Sequence, residues 1–231
     1  PIMIVVTIPL VAIAMYFIWP LFNMVINGFG NLLAAAGAFG TFIYGFLERL
    51  LIPTGLHHIL NQLIRFTPIG GTAMIDGEQV SGALNIFNQL LMSSNPDMDT
   101  MREATRFLTQ GTHPFMVFGL PAACFAMYKT AYPQNRQKVK GILLAAGLTS
   151  FLTGITEPIE FAFFFISPLL WLFHAVMAGL SFFINTLLGV CIGNAGGGLV
   201  DLMLFGVLRG PETKWYINVA IGLVYAVIYF L

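Results

Sequence analysis

The feature that most constrains this chain is the absence of any charged side chain before Glu48. A helix needs about 20 apolar residues to cross the hydrocarbon core of a bilayer. Residues 2–26 supply such a run, with Pro20 near its end. Residues 28–47 follow with many Gly, Ala and aromatic residues, a composition that lets helices approach closely inside a membrane. The sequence therefore predicts a membrane-spanning helix over 2–26 and a closely packed or partly re-entrant helix over 28–47.

The composition of the whole chain is typical of a membrane protein. Hydrophobic residues make up 58% and charged residues 9% of its 231 positions, whereas soluble domains carry about 25% charged residues. Ten basic and ten acidic residues cancel, which excludes the strong positive field of a nucleic-acid-binding protein. Cys124 and Cys191 stand alone in apolar runs, so neither a disulfide nor a metal site is predicted. The sequence also indicates no cofactor.

Three later segments are too polar or too interrupted to be plain spans. Residues 67–110 mix acidic and basic side chains with Gly, Ser, Asn and Pro, which predicts a long polar excursion with short helices. Residues 112–127 are apolar but contain Pro114 and Pro121, which predicts a hairpin that dips into the membrane. Residues 128–140 carry several basic side chains and no acid, which predicts a cytoplasmic loop.

Apolar blocks over 141–155, 159–192 and 215–231 complete the pattern. The glycine-rich stretch 193–198 lacks the Lys-Ser/Thr pair of a phosphate-binding loop, so it is interpreted as a flexible turn or helix break. No internal repeat is found, and one domain is expected. The predicted fold class is an all-α polytopic membrane protein, with transmembrane helices, re-entrant hairpins and a long polar excursion.

Glu157 is the strongest candidate for a substrate ligand. It lies between two apolar blocks and directly before Pro158, whose ring disfavours helical backbone in the preceding residue. Unwound backbone at membrane depth is tolerated where protein buries it or where it lines a wet cavity, and transporters bind substrate at such breaks. A carboxylate there can accept hydrogen bonds from two sugar hydroxyls. Alternatively, Glu157 pairs with a basic residue and only holds two helices together.

The four histidines differ in how well their sequence context supports a functional role. His57 and His58 follow Pro-Thr-Gly, and a neutral imidazole can bind a hydroxyl or take its proton. Because neighbouring residues of a helix point in different directions, one of these two is expected to face a cavity. His174 is interpreted as a packing residue, whereas packing and function both stay open for His113.

Arg49 is the basic candidate. It precedes His57 by about two helical turns, so the two side chains can share a face. Arg49 can equally form an ion pair with Glu48 or Glu157, in which case its role is structural.

Several motifs resemble one known family. The first set is LLIPTGLHH at 50–58, PQNRQKVKG at 133–141 and TGITEPIEF at 153–161. It is similar to enzyme IIC of the glucose superfamily of bacterial sugar phosphotransferase systems. The resemblance covers nearly the whole chain. IRFTPIGGT, VSGALNIF and the closing TKWY are most similar to the maltose/glucose-specific type.

The resemblance implies a dimeric helical carrier that crosses the bacterial plasma (inner) membrane several times. Residues 1–231 would be the C-terminal portion of one enzyme IIC domain, with 1–47 ending the dimerisation region and 48–231 forming the sugar-binding and transport region. The chain would contact membrane lipid and no nucleic acid. It would translocate glucose or maltose inward for phosphorylation by a phosphorylated IIB domain, which the chain lacks, as a component of a protein-phosphocysteine sugar phosphotransferase.

The resemblance also implies a role for each candidate residue. Glu157 would bind sugar hydroxyls, His57 would lie beside the hydroxyl to be phosphorylated as the catalytic base, Arg49 would lie near the site and Thr156 would line it. Two other functions stay open. One is a proton-coupled secondary sugar transporter that uses Glu157 and never modifies its substrate, and the other is a non-transporting remnant that acts as a scaffold or receptor.

Overall fold

The computed structural model describes residues 2–231, without the side chains of residues 2, 3, 5, 6, 22, 23, 25–27, 29, 31 and 34. Its α-helices are α1 Ile2–Ala35, α2 Ala38–Leu50, α3 His57–Phe66, α4 Ala83–Met92, α5 Met98–Thr105, α6 Leu120–Thr130, α7 Pro133–Thr153, α8 Glu157–Ile166, α9 Pro168–Leu187, α10 Leu199–Asp201 and α11 Trp215–Phe230. Strands β1 Thr72–Ile75 and β2 Glu78–Ser81 pair antiparallel. Short 3₁₀ turns cover Ile52–Thr54, Pro68–Gly70, Thr109–Gly111 and Pro211–Thr213, and π-helical segments cover Pro114–Gly119 and Leu202–Val207. The predicted all-α class is confirmed.

Helix α2 packs closely along α9 because small residues lie between them. A Cβ atom at Gly45 would come within 2.4 Å of the Phe182 ring, and one at Gly179 within 2.8 Å of the Phe42 carbonyl oxygen. The rings of Tyr44 and Phe182 meet edge to face with centroids 5.3 Å apart. The predicted close-packed helix within 28–47 is therefore α2, while the span predicted over 2–26 is part of the longer α1.

Residues 112–127 do not form the predicted hairpin. The π-helical segment Pro114–Gly119 continues directly into α6, so the two form one continuous helical rod. Pro114 lies in its first turn, where the amide groups of a helix have no partner inside it, and Pro121 lies where the π-helical segment passes into α6. Phe115 is fully buried, and the rod packs against α11 and α7. The prolines therefore do not reverse the chain.

The helix break predicted at residues 193–198 is confirmed. Between α9 and α10 the chain is irregular, and Cys191 and Ile192 are fully buried. The carboxylate of Asp201 accepts hydrogen bonds from the backbone amides of Gly196 at 2.6 Å and Gly197 at 3.1 Å. Irregular backbone surrounded by protein is what a bilayer core tolerates.

The basic stretch is helical, so the loop predicted over 128–140 is wrong. Helix α6 ends at Thr130 and α7 begins at Pro133, which leaves a two-residue connection. Lys138 and Lys140 are therefore exposed on the first turns of α7. The N-terminal end of a helix carries partial positive charge, and these cations add to it.

The polar segment 67–110 contains the predicted short helices α4 and α5, which bury Phe87 and Met101 in the core. It also contains the β1–β2 hairpin, which was not predicted. Asp76 and Gly77 form its turn with φ of 51° and 86°, the left-handed conformations that Asp-Gly accepts in two-residue hairpins. The Asp76-Gly77 dipeptide therefore indicated a hairpin, but the polar composition of the segment led to a prediction without strands.

Asp97 caps the N-terminus of α5. Its side chain accepts hydrogen bonds from the hydroxyl of Thr100 and from the amide nitrogens of Thr100 and Asp99 at 2.9 and 3.4 Å. The hydroxyl of Thr100 is the largest cause that lowers the pKa of Asp97, and the backbone amides add to it. Capping of this kind satisfies amide groups that the helix itself leaves unpaired.

We expect Asp97→Ala to speed hydrogen exchange of the α5 amides severalfold. Because the folded pKa lies below the unfolded one, the stabilisation is present at neutral pH and is lost as the pH falls through the folded value. Exchange mass spectrometry between neutral and acidic pH measures both effects, with Asp99→Ala as the matched control. Equal exchange in Asp97→Ala and the native protein would contradict the capping role.

The outer surface of the molecule is apolar. Ile8, Phe165, Ile166 and Leu169 are each more than 60% exposed, although contiguous apolar surface of this kind is rare in soluble monomers. Among the described residues, one helix, Pro168–Leu187, is both long and apolar enough to cross a bilayer, and Thr7–Leu21 and Trp215–Phe230 are shorter apolar helices. Three charged side chains, Glu48, Arg49 and Glu160, are instead buried inside.

Candidate functional site

Three chain breaks bring the predicted site residues together. Helix α2 ends just after Arg49, α3 begins at His57, and α8 begins at Glu157. The turn Ile52–Thr54 between α2 and α3 packs against α8. Gly154 ends α7 with φ of 75°, and a Cβ atom there would come within 2.4 Å of the Gly196 carbonyl oxygen. The close contact between Gly154 and Gly196 places the start of α8 inside the molecule.

Glu157 lies at the first position of α8, so the prediction that it sits on unwound backbone is wrong by one residue. The irregular backbone is residues 154–156, and Pro158 is accepted in the first helical turn. Glu157 is half-buried, and its carboxylate accepts a hydrogen bond from the Thr156 amide at 3.1 Å. No ion pair to Glu157 occurs among the described side chains. Its carboxylate therefore keeps most of its capacity to accept hydrogen bonds.

His57 and His58 both lie close to Glu157. One ligand atom from each of these three side chains lies within 4.8 Å of the other two. His57 is buried and His58 is exposed, yet their ring centroids are only 4.0 Å apart. The expectation that a single imidazole faces this site is wrong, because the first turn of α3 presents both rings to Glu157.

Arg49 is the centre of a buried ion network. Its Nη2 lies 3.0 Å from Glu48 Oε1, and its Nη1 lies 2.8 Å from Glu160 Oε1. The same Nη1 donates to the Thr156 hydroxyl at 3.2 Å. The guanidinium also lies over the Phe115 ring, 5.0 Å from its centroid. Arg49 thus pairs with Glu48, one of the two predicted alternatives, while Glu160 takes the place of Glu157.

The network continues through His174 to α11. His174 Nε2 lies 2.9 Å from Glu160 Oε1, and its Nδ1 lies 2.7 Å from the Tyr229 hydroxyl. Because a carboxylate only accepts hydrogen bonds, Nε2 carries the proton. The interpretation of His174 as a satisfied buried residue agrees with this geometry. His113, by contrast, is fully buried with no hydrogen-bond partner for either ring nitrogen among the described residues.

Glu48 connects the network to α3. Asn61 donates from Nδ2 to Glu48 Oε1 at 3.1 Å and accepts from the Tyr44 hydroxyl at 2.6 Å. Tyr44, Glu48 and Arg65 line a polar cavity of about 30 Å³, which is large enough for one water molecule. The charged groups therefore lie in an environment that satisfies most of their hydrogen bonds.

The sequence analysis missed several members of this network. Glu160 is three residues after Glu157 in the same apolar run, a spacing that places two acids on one side of a helix. A second acid in an otherwise apolar helix was a signal that Glu160 has a buried partner. Asn61 belongs to the polar stretch 48–65, whose side chains the sequence predicts to face water, sugar or one another. Tyr229 offered no comparable signal, because single tyrosines in apolar helices are common.

The arrangement divides the polar residues into two groups. Glu48, Arg49 and Glu160 are buried and form ion pairs with one another, although Glu160 Oε2 has no hydrogen-bond partner among the described residues. Glu157 and the two neighbouring imidazoles have unused hydrogen-bonding groups at the edge of this network. A polyhydroxylated ligand could donate hydroxyl hydrogens to Glu157 and exchange hydrogen bonds with His57, while Arg49 holds Thr156 beside them.

Comparison with known proteins gives one consistent result. Residues 1–179 match the family model described as "Phosphotransferase system, EIIC". The maltose-specific EIICB component of Escherichia coli (strain K12) is 45% identical over 96% of this chain, and 42% of that protein is covered. The glucose-specific EIICBA component of Staphylococcus carnosus (strain TM300) is 42% identical over 100% of this chain and is 33% covered. This chain spans less than half the length of either relative.

Proposed function

Because this chain belongs to the phosphotransferase system EIIC family, we propose that it is the sugar-translocating part of a bacterial phosphotransferase permease. Its substrate is a sugar of the glucose or maltose type, the specificities named for its relatives. The chain is a membrane protein, and we place it in the plasma (inner) membrane with several spans. A phosphorylated IIB domain is the proposed phosphoryl donor, since both relatives are named as fusions that include B.

One observation carries the proposal: Glu157 is a partly buried acid of an apolar helix that has no cation beside it. Acids at membrane depth usually pair or serve a ligand, and Arg49, which contacts the adjacent Thr156, is already held by Glu48 and Glu160. Glu157 is therefore available to accept hydrogen bonds from sugar hydroxyls. Its position at the start of α8 matches the use of broken helices as substrate sites in transporters.

His57 is the proposed catalytic base. Phosphoryl transfer to a sugar hydroxyl requires that the hydroxyl proton leaves as the new O–P bond forms, while the bond between phosphorus and the donor breaks. An imidazole beside Glu157 can take that proton. Arg49 and Thr156 are proposed to support the site, because the guanidinium holds the Thr156 hydroxyl at 3.2 Å.

The wider assignments follow the family resemblance. We propose that residues 1–47 belong to the dimerisation region and 48–231 to the sugar-binding and transport region. The exposed apolar face of α1, which includes Ile8, Leu10 and Phe17, supports contact with a second protomer or with lipid. The chain functions in this proposal as a homodimer.

Membrane lipid is a further proposed partner. An apolar groove of about 390 Å³ runs between α6 and α7, and Cys124, Phe125 and Leu144 line it. Lys140 stands in its wall, and the Lys129 ammonium lies 5.0 Å from the Phe125 ring centroid. An acyl chain matches the groove, and an anionic headgroup would offset the cations at the start of α7. The basic end of α7 is proposed to face the cytoplasm.

Vesicle transport tests the proposal. We expect vesicles that contain the natively expressed protein carrying this chain to accumulate sugar phosphate only when phosphorylated IIB is supplied. In His57→Ala, the rate of phosphorylation should fall about 10²- to 10⁴-fold, the range of general-base catalysis. Equilibrium sugar binding by that variant should change much less. Radiolabelled glucose and maltose, with chromatography of the vesicle contents, measure both quantities.

The alternative function makes the opposite prediction. A proton-coupled carrier would accumulate unmodified sugar without IIB, and uptake would follow the imposed pH gradient. Free sugar inside vesicles that lack IIB would therefore overturn the proposal. Loss of sugar binding in His57→Ala that equals its loss of phosphorylation would contradict the role of His57 as a base.

A further inference from the structure

We propose that His57, His58 and Glu157 form an inhibitory binding site for a borderline divalent transition metal such as Zn²⁺. The three side chains place one ligand atom each within 4.8 Å of the others. Tetrahedral ligands at about 2.1 Å from zinc are about 3.4 Å apart, so modest rotations close the distance. His58 is exposed and Glu157 is half-buried, and both can rotate without disturbing the core.

The donor set favours zinc and its neighbours among the first-row metals. Two imidazoles and one carboxylate are ligands that Zn²⁺, Cu²⁺ and Ni²⁺ accept, whereas Mg²⁺ and Ca²⁺ prefer oxygen alone. The His57 Nδ1 atom is buried without a hydrogen-bond partner among the described residues. The ring centroids of His57 and His58 are only 4.0 Å apart, so both imidazoles can coordinate the same metal ion.

The rest of the described chain has few other side chains that could bind such a metal. Of its four histidines, His113 and His174 are fully buried, and His174 is already engaged by Glu160 and Tyr229. Both cysteines are buried as well. Among the described residues, the cluster at the start of α3 is also the one group of three His, Cys, Asp or Glu side chains with this spacing.

Metal binding should oppose sugar binding, and this part of the inference rests on the proposed function. A Glu157 oxygen that coordinates zinc cannot also accept hydrogen bonds from sugar hydroxyls at full strength. The metal would also fix both imidazoles and remove His57 as a base. Zinc should therefore raise the apparent Kd for sugar, and added sugar should weaken zinc binding by the same factor, as linkage requires.

Titration calorimetry of Zn²⁺ into the chelator-treated, natively expressed protein tests the site. We expect His58→Ala and Glu157→Gln each to weaken zinc binding about tenfold or more, since even indirect supports of metal sites are worth 10- to 100-fold. The sugar Kd of His58→Ala in chelator is the reference value for that variant, and added zinc should no longer change it. Glu78→Gln, which removes an exposed acid of β2, is the matched control and should change neither quantity.

The outcomes separate the two proposals. Unchanged zinc affinity in His58→Ala would overturn the metal site, and an unchanged sugar Kd at saturating zinc would overturn its inhibitory role. If zinc binds in a His58-dependent manner to a protein that binds no sugar under any condition, the metal site stands and the proposed transport function fails. Cu²⁺ binding followed by electron paramagnetic resonance gives an independent readout, because nitrogen ligands alter its spectrum.

Discussion

Replacing Arg49 with methionine should destabilise the protein more than any other single change in the site. The substitution would leave Glu48 and Glu160 buried, at 3% and 1% exposed, without a cation. Removing one partner of a buried ion pair typically costs about 3–5 kcal/mol, because the remaining charge stays desolvated. Methionine is close in length to arginine and accommodates irregular space, so the effect would report on charge more than on lost volume.

Thermal unfolding in detergent or lipid nanodiscs measures this loss for Arg49→Met. Arg102→Met is the matched control, since its ion pair with Asp99 is solvent exposed and such pairs contribute about 0–1 kcal/mol. The triple variant Arg49→Met, Glu48→Gln, Glu160→Gln should recover part of the loss, because no uncompensated charge remains. If Arg49→Met and Arg102→Met unfold at the same temperature, the buried network does not stabilise the protein.

Glu157→Gln should abolish most sugar binding and leave the fold intact. A hydrogen bond to a charged group contributes about 1.5–3 kcal/mol, so affinity should fall about 10- to 100-fold at 1.4 kcal/mol for each factor of ten. Stability should change little, because Glu157 is half-buried and accepts a single hydrogen bond, from the adjacent Thr156 amide. Equilibrium binding of radiolabelled glucose and maltose, with a parallel unfolding curve, measures both.

Glu160→Gln is the matched comparison, because it makes the same chemical change three residues later in α8. Glu160 is fully buried and contacts Arg49 and His174 at 2.8 and 2.9 Å, so here the unfolding temperature should fall. The pair therefore separates a ligand-binding acid from a structural acid within a single helix. Equal sugar affinity in Glu157→Gln and the native protein would exclude Glu157 from the site.

The sequence predicted the class of the fold better than the side-chain contacts inside the molecule. Pro158 and the surrounding apolar blocks located the chain break that positions Glu157, because proline acts locally and its effect is visible in the sequence. Arg49 pairs with Glu160, which is 111 residues away, and such a partner depends on tertiary packing. The sequence therefore indicated Glu48 or Glu157 as the partner of Arg49, and it did not distinguish Glu157 from Glu160 in the same helix.

Two wrong predictions arose because a local signal was interpreted as a break in the helix. Pro114 and Pro121 were interpreted as breaks, but Pro114 lies in the first turn of a helical segment, where proline is well accepted, and Pro121 lies where the π-helical segment passes into α6. The basic residues of 128–140 were assigned to a cytoplasmic loop because the positive-inside rule concerns loops. Exposed cations are equally compatible with the surface of a helix, and α7 packs against α6.

The network from Glu48 through Arg49, Glu160 and His174 to Tyr229 also constrains how this chain can evolve. Two of its contacts join distant parts of the sequence, since Arg49 and Glu160 are 111 residues apart and His174 and Tyr229 are 55 residues apart. Residues that share such a network are expected to show strongly non-additive mutational effects. A neutral replacement at Glu160 should be harmful beside native Arg49 and tolerated once Arg49 and Glu48 are also neutral. The order in which mutations arise therefore matters here, and viable paths require several coordinated steps.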